Sequence, residues 1–273
     1  MERFGRRDFL RGAAALAAAG GAGPVLAGGP DVPVSEERAF AVPGLHPAHD
    51  GLKVVQISDV HVGPHTPPER IRAAVEAANA FEPDLVALTG DYLSKERAGV
   101  GLLRELLGGL SAPSVAVLGN HDHWVDPGGA TESLEGLGYA VLRNQHTTLT
   151  MRGEPFTVVG IDDGYTRQAD PERALKGAPG GSRLVLAHWP TTARQLAKLG
   201  QKGLCLSGHT HGGQISLPIL SPLAYLVAGE PYRRGLYRLD GVQLYVNRGV
   251  GSSFWDLRVN SPPEVTLATL TAA

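Results

Sequence analysis

Val55-Gln56-Ile57-Ser58-Asp59-Val60-His61 begins as an apolar run and ends on a carboxylate and an imidazole two residues apart. The pattern recurs down the chain. Val86-Ala87-Leu88-Thr89 leads into Gly90-Asp91, and Val115-Ala116-Val117-Leu118 into Gly119-Asn120-His121-Asp122. Leu184-Val185-Leu186-Ala187 leads into His188, and Leu204-Cys205-Leu206-Ser207 into Gly208-His209-Thr210-His211-Gly212-Gly213. Short apolar runs bounded by turn residues read as buried strands. Polar residues just past a strand end sit where ligands gather in α/β sheets.

Working outward from these runs, the first half alternates strands and helices. Leu52–Ile57 reads as a strand, and Thr66-Pro67-Pro68-Glu69 as a helix start with Thr66 as N-cap and Glu69 completing a capping box. Ile71, Val75 and Ala78 repeat at helical spacing; Asp84–Thr89 is the next strand. Leu103, Leu106, Leu107 and Leu110 line a second helix, and Val115–Leu118 a third strand. That order predicts a parallel sheet covered by helices. The second half is richer in strands. Ala140–Leu142, Thr147–Met151 and Phe156–Ile161 read as antiparallel strands, then Arg183–Ala187, a helix over Thr191–Leu199, and strands at Leu204–Ser207, Gly213–Ser216, Leu236–Leu239, Gln243–Asn247 and Val265–Leu270. Two mixed β-sheets packed face to face and flanked by helices, a four-layer α/β/β/α sandwich, accommodate this order. Residues 51–273 read as one domain, and residues 28–50 as a linker and edge segment with a strand around Arg38–Val42.

Composition narrows the function classes. The 273 residues are 42% hydrophobic and 19% charged, which excludes a disordered chain. A single cysteine, Cys205, excludes an internal disulfide and a Cys-rich zinc module. A formal net charge of −2 argues against a broad basic surface, so no nucleic-acid partner is expected. At the N-terminus, Gly5-Arg6-Arg7-Asp8-Phe9-Leu10-Arg11 precedes an Ala/Gly-rich stretch and Val25-Leu26-Ala27. Residues 1–27 resemble a twin-arginine (Tat) export signal. Its removal takes away four arginines and two acidic residues, leaving a net charge of −4. The resemblance implies export by the Tat machinery to a periplasmic or other extracytoplasmic location.

The residues at the strand ends are hard-to-borderline metal ligands: carboxylate and amide oxygens and imidazole nitrogens, with no thiolate. Such a set suits Mn, Fe, Zn, Co or Mg. An i, i+2 pair on an extended segment converges on one metal if the backbone bends between its members, and the neighbouring glycines permit a bend. A carboxylate such as Asp91 has two oxygens and can bridge two cations. Taken singly, an Asp-x-His, a Gly-Asp turn or one His after a strand is ordinary. All five in this order, each behind an apolar run, point to a metal site.

Together these motifs resemble the calcineurin-like metallophosphoesterase superfamily over roughly residues 50–270. Gly208-His209-Thr210-His211-Gly212-Gly213-Gln214-Ile215 resembles its bacterial exported phosphodiesterase branch, as does the tail Tyr245-Val246-Asn247-Arg248-Gly249-Val250-Gly251 with Arg258 and Pro263-Glu264. That branch includes membrane-associated enzymes similar to UDP-2,3-diacylglucosamine pyrophosphatases. The resemblance implies two divalent or trivalent metal ions, with Mn, Fe or Zn the leading candidates. It implies Asp59, His61 and His211 on one ion, Asn120, His188 and His209 on the other, and Asp91 bridging. His121 is implied to stand free of the metals, beside the phosphate, and to act on the leaving group. The implied reaction is hydrolysis of a phosphodiester or pyrophosphate bond, including in a lipid-linked substrate, by a hydroxide held between both metals. Serine/threonine phosphatases of the superfamily carry Gly-Asp-x-Val-Asp-Arg-Gly; Gly90-Asp91-Tyr92-Leu93-Ser94-Lys95 lacks that acid and arginine, which disfavours a protein phosphatase. The alternatives are a phosphomonoesterase and a non-catalytic metal-binding surface protein.

Three further features have two readings each. Asp122 is a turn acid or the orienting partner of His121. Trp189, next to His188, packs in the core or meets a substrate ring. Leu217–Ala228, apolar and followed by Arg233-Arg234, is a covering segment or a peripheral membrane contact.

Overall fold

The alternation within Leu52-Lys53-Val54-Val55-Gln56-Ile57 decides which layer each side chain enters. Leu52 and Val54 point to one buried cluster, and Val55 and Ile57 to another on the opposite face. A strand apolar on both faces belongs inside a layered fold. The computed structural model describes residues 32–217, 230–253 and 255–273. The export signal expected over 1–27, and all of Leu217–Ala228 except Leu217, lie outside the described residues.

Two six-stranded sheets form the centre. The first holds β1 (Val34–Val42), β2 (Leu52–Ile57), β3 (Leu85–Thr89), β4 (Ser114–Val117), β5 (Ala140–Val141) and β12 (Glu264–Ala272), in the order β1-β12-β2-β3-β4-β5. The second holds β6 (Gln145–Met151), β7 (Glu154–Ile161), β8 (Arg183–Ala187), β9 (Gly203–Ser207), β10 (Gly235–Leu239) and β11 (Val242–Val246), in the order β10-β11-β9-β8-β7-β6. β2 through β5 run parallel, as do β7, β8, β9 and β11, whereas β12 opposes β2, β6 opposes β7 and β10 opposes β11. Both sheets are therefore mixed.

Apolar side chains fill three interfaces. Val54, Leu85, Ala87 and Val117 of one sheet meet Val158, Leu184, Leu186 and Leu206 of the other. The outer face of the first sheet packs on Ile71, Ala74 and Ala78 of helix Pro68–Ala80 and on Leu103, Leu106 and Leu107 of helix Ala98–Leu107. The outer face of the second packs on Ala174 and on Ala193 and Leu196 of helix Thr192–Lys198. This is the four-layer α/β/β/α sandwich. Polar bridges also cross between the sheets: under the strand ends, buried Gln56 donates through Nε2 to Thr89 Oγ1 and to the Ser207 carbonyl, both at 2.9 Å.

The structure departs from the sequence reading in four places. The capping box at Thr66 does not form. The helix starts at Pro68 with Pro67 as its N-cap, and the Thr66 hydroxyl is engaged elsewhere, accepting the Ser252 N–H at 3.0 Å. Leu110 lies beyond its helix, which ends at Leu107 before Gly108-Gly109. Ala140–Val141 pairs parallel with β4, not antiparallel. The helices Asn120–Val125 and Pro127–Glu135 return the chain to β4's direction, and Gly128-Gly129 had hidden the second of them from a propensity reading. Gly213–Ser216 is no strand: His211–Gly213 is a single 3-10 turn, and Ile215 makes one bridge to Val259.

Candidate metal centre

Because β2, β3 and β4 are parallel, their C-terminal ends lie side by side, and β8 and β9 end opposite them. The turns leaving β2 and β3 are laced together: Asp59 N–H donates to the Gly90 carbonyl at 2.9 Å, His61 N–H to Asp91 at 3.0 Å and Val62 N–H to Tyr92 at 2.8 Å. The turn after β9 closes onto the turn after β2, with His209 N–H on both Asp59 carboxylate oxygens at 3.0 and 3.1 Å. This approach leaves no room for a side chain at Gly208, where a Cβ would meet Asp59 Oδ2 at 2.2 Å.

The bends are made by the polar residues themselves. Asp59, His61, Asp91, His209 and His211 all have left-handed φ, between 45° and 73°. Non-glycine residues seldom adopt this region, and they concentrate where function holds a side chain in place. Between Asp59 and His61 stands Val60 rather than glycine, so the expected glycine bend is replaced there by strain at the two residues.

The result is two groups of donor atoms that share Asp91. Asp59, His61, Asp91 and His211 bring one donor each within 4.8 Å of one another, and so do Asp91, His188 and His209. In the first group His61 Nε2 lies 2.9 Å from His211 Nε2 and 3.5 Å from Asp91 Oδ2, and His211 Nε2 lies 3.4 Å from Asp59 Oδ1. In the second, His188 Nε2 is 3.3 Å from the same Asp91 Oδ2, and the Asn120 side-chain oxygen joins at 3.2 Å from His188 Nε2 and 2.7 Å from His209 Nδ1. Asp91 does not divide its two oxygens between the groups. Oδ1 accepts the His121 N–H at 2.8 Å, and Oδ2 alone faces both. All seven candidate ligands thus meet at one end of the sandwich.

His188 and His61 are aimed by their other nitrogen. The His188 ring sets Nδ1 2.7 Å from the Thr89 carbonyl, and the His61 ring sets Nδ1 3.2 Å from that of Leu93. A carbonyl only accepts, so Nδ1 carries a proton on both rings and Nε2 is the nitrogen turned to the centre. His211 Nδ1 lies 3.1 Å from the buried Arg258 guanidinium, and His209 Nε2 lies 3.8 Å from Glu230.

The electrostatics match a cation site. Burial drives the His61 pKa down to about 3, and His211 falls as well, through burial first and then its neighbours His61 and Arg258. Both are held neutral, the form that ligates. Burial raises the Asp59 carboxyl, and Asp91 adds to the rise. Burial also opposes the Asp91 carboxylate, but His188 and His61 outweigh it and hold Asp91 far below the usual range. Two buried carboxylates and the Nε2 atoms of His61, His188 and His211 converge, a donor set that a divalent cation would complete. The residues fit the metals that the resemblance implies.

His121 stands beside both groups, its ring 4.6 Å from that of His61. Its Nδ1 lies 2.5 Å from the Ser94 carbonyl, so Ser94 is its orienting partner. Asp122 is not. Its Oδ1 accepts the N–H groups of Tyr92 and Leu93, and its Oδ2 those of Asp91 and Gly119, at 2.9 to 3.0 Å. It clamps the turn after β3 to the turn after β4. Trp189 is half-buried and donates its indole N–H to Glu230 at 2.6 Å. Sequence reasoning missed Ser253, whose Oγ lies 3.0 Å from His211 Nε2 and 3.3 Å from His61 Nε2. No spacing rule would have found it, since the tail returns to the site only through the pairing of β11 with β9 and of β12 with β2.

Comparison with known proteins agrees with this geometry. Residues 52–213 match the calcineurin-like phosphoesterase family. The uncharacterized metallophosphoesterase YkuE of Bacillus subtilis is 32% identical, with 99% of each chain covered. Phosphodiesterase YaeI of Escherichia coli is 32% identical over 80% of this chain and 82% of its own. The UDP-2,3-diacylglucosamine pyrophosphatase LpxG of Chlamydia trachomatis is 28% identical over 80% of this chain and 83% of its own. The chain belongs to the calcineurin-like phosphoesterase family, and it is a metallophosphoesterase hydrolase.

Proposed function

We propose that the protein is a dinuclear phosphoesterase that hydrolyses phosphodiester or pyrophosphate bonds. The observation that carries this reading is the position of Asp91 Oδ2, 3.5 Å from His61 Nε2 and 3.3 Å from His188 Nε2, with Oδ1 occupied by a backbone N–H. One oxygen facing two ligand groups supports a shared ligand between two cations. Asp59, His61 and His211 hold one cation in this reading, and Asn120, His188 and His209 the other. Mn, Fe or Zn suits the donor set. When bound, such a pair offsets charge on the phosphoryl oxygens and acidifies water for in-line attack.

The chain's own residues supply the rest. His121 keeps its Nδ1–H on the Ser94 carbonyl and presents Nε2 to the leaving oxygen; acting as general acid it starts as the imidazolium, passes the Nε2 proton to that oxygen and is left as the neutral ring. Asp122 keeps Asp91 and Asn120 in register. The relatives named a phosphodiesterase and a pyrophosphatase support diester and anhydride substrates over monoesters, and the second brings a lipid-linked pyrophosphate within the proposed range. The paired Arg6-Arg7 supports export by the twin-arginine route, so the enzyme acts outside the cytoplasm in this reading. Among the described residues, no helix is long and apolar enough to cross a membrane.

The test uses full-length protein, stripped of metal and reloaded with Mn, Fe or Zn, acting on bis(p-nitrophenyl) phosphate and p-nitrophenyl phosphate. The diester should be the better substrate, at two bound metals per chain. His121→Ala should keep both metals and lose roughly 10²–10⁴-fold in kcat, the usual range for a general acid. A preference for the monoester, or full activity in His121→Ala, overturns the corresponding part of the reading.

A further inference from the structure

Trp124 is 59% exposed and Tyr165 48%, although both carry large apolar rings. They do not stand singly. Their ring centroids are 6.0 Å apart at 73°, and Tyr165 lies 6.3 Å from Trp189 at 78°. The wall joins the metal centre at both ends. The Trp124 ring is 5.1 Å from that of His121, and the Tyr165 ring 4.9 Å from that of His209.

The wall is also braced. Trp124 sits on the short helix Asn120–Val125, which begins with Asn120 and His121. Tyr165 sits in the loop that follows β7. Asp162 ties the two, with one carboxylate oxygen 2.6 Å from His123 Nε2 and the other accepting Arg143 Nε at 2.9 Å. The loop is seated on Trp189: a Cβ at Gly164 would meet Trp189 Cε3 at 2.5 Å. Trp189 is fixed in turn by its bond to Glu230. Rings held this way lose little freedom when a ligand arrives.

We infer that this wall binds a planar ring carried by the phosphate substrate, a nucleobase or an aryl group, on the leaving-group side of the phosphorus. The inference rests on the phosphoesterase reading above and deepens it by naming the substrate class. Trp124 and Tyr165 meet edge to face at 73° with about half of each residue exposed, so two aromatic surfaces at a steep angle to one another are open beside the centre. A planar ring gains from stacking on the one and from an edge contact with the other. An alkyl chain has no such orientation-dependent gain. Trp124 adjoins His121, so the ring belongs to the group that departs.

The experiment measures binding of uridine 5′-monophosphate, ribose 5-phosphate and octyl phosphate to metal-loaded, full-length protein by titration calorimetry. Uridine 5′-monophosphate should bind about tenfold more tightly than ribose 5-phosphate, in keeping with base–aromatic stacking. Trp124→Leu and Tyr165→Leu should each collapse that ratio towards one; thermal melts confirm that both variants fold. Equal affinities in the wild type, a ratio that survives both substitutions, or a Trp124-dependent gain for octyl phosphate each overturns the inference. Binding of ribose 5-phosphate without a ring advantage defeats the wall alone. No binding of any phosphate, inorganic phosphate included, defeats the phosphoesterase reading with it.

Discussion

The two ligand groups that meet at Asp91 use similar donors and differ in their surroundings. Asp59, His61 and His211 are all buried, and the returning tail covers them with Ser253 and Arg258. The other group has buried Asn120 and His188, but His209 is only partly covered, and the exposed Trp124 and Tyr165 stand beside it. The first group is the more covered and the second the more open at His209, although His211 and Ser253 also line the cavity that His209, Gln214 and Trp255 border. The more covered side holds its histidines neutral by burial, at the cost of a raised Asp59 carboxyl. The open side instead surrounds His188 with carboxylates: burial works against its charged form, yet Asp91 and Asp59 lift its pKa well above the ordinary value. In the dinuclear reading proposed above, a cation on the more covered side would exchange slowly with water, whereas one on the open side would face the substrate. Such a pair would combine retention with access, and that division of labour can be tested.

The largest effect should come from the residue that both sides share. Asp91→Ala removes the one oxygen that faces both His61 and His188. Bound metal should fall below one equivalent per chain, and diester turnover should drop by about 10³-fold or more, since charge stabilisation and water activation vanish together. His211→Ala and His209→Ala should each leave close to one equivalent, and a chelator should strip the His211→Ala protein faster, because its remaining cation is on the open side. Metal analysis by plasma mass spectrometry reads all three. Two retained equivalents in Asp91→Ala would refute the shared-ligand geometry.

Much of this centre was legible in the chain because parallel strands make it so. An apolar run that ends on Asp-x-His, Gly-Asp, Gly-Asn-His or Gly-His-x-His states both the strand and what it delivers, and the shared strand direction brings the ends together without further information. Asp59, His61, Asp91, Asn120, His188, His209 and His211 were all readable in that way. Ser253 delivers its group from an irregular tail, where no periodicity marks which side chain turns inward; Arg258 was read there as part of the tail motif, but not as the neighbour of His211 Nδ1. Asp122 was visible as a titratable residue but not as a clamp, since its role depends on backbone N–H groups contributed by Asp91, Tyr92, Leu93 and Gly119. The same limit hid the orienting partner of His121, which is the main-chain oxygen of Ser94. Glycine-rich Pro127–Glu135 formed a helix against its local preference because Asp126 caps Gly129 N–H at 3.0 Å and Ala130 and Leu134 are buried.

Asp122 gives a sharper and smaller test of the same comparison. Its two oxygens each accept two backbone N–H groups. Asp122→Asn is isosteric but replaces one oxygen with an amide that points its own hydrogens at two donors. Two buried hydrogen bonds are lost and their donors left unsatisfied, a cost of about 2–4 kcal/mol on the metal-free protein, read from urea unfolding. The turns that loosen carry Asp91 and Asn120, so the open side should suffer more than the covered one. Metal should fall towards one equivalent, and activity by about 10²-fold. A variant of unchanged stability with both metals would mean that the clamp is not what keeps the turns in register.

Ser253→Ala is the mildest change and separates covering from holding on the more covered side. The Ser253 hydroxyl lies within reach of both His61 Nε2 and His211 Nε2, and its backbone N–H donates to Gln214 Oε1 at 3.2 Å, so the main chain stays tethered when the hydroxyl is removed. The hydroxyl's proximity to two ligating nitrogens gives it one hydrogen bond's worth of influence on what they bind, about 1 kcal/mol. That corresponds to roughly a fivefold weaker affinity for one of the two metals, measured by competition with a chromophoric chelator. The open-side cation should be unaffected, because Ser253 touches no group around His188. Loss of a whole equivalent would make the hydroxyl a ligand in its own right. Unchanged affinity would leave burial alone to account for the more covered side. A loss confined to the second, weaker metal would reverse the assignment of which side holds tightly, and with it the division between retention and access.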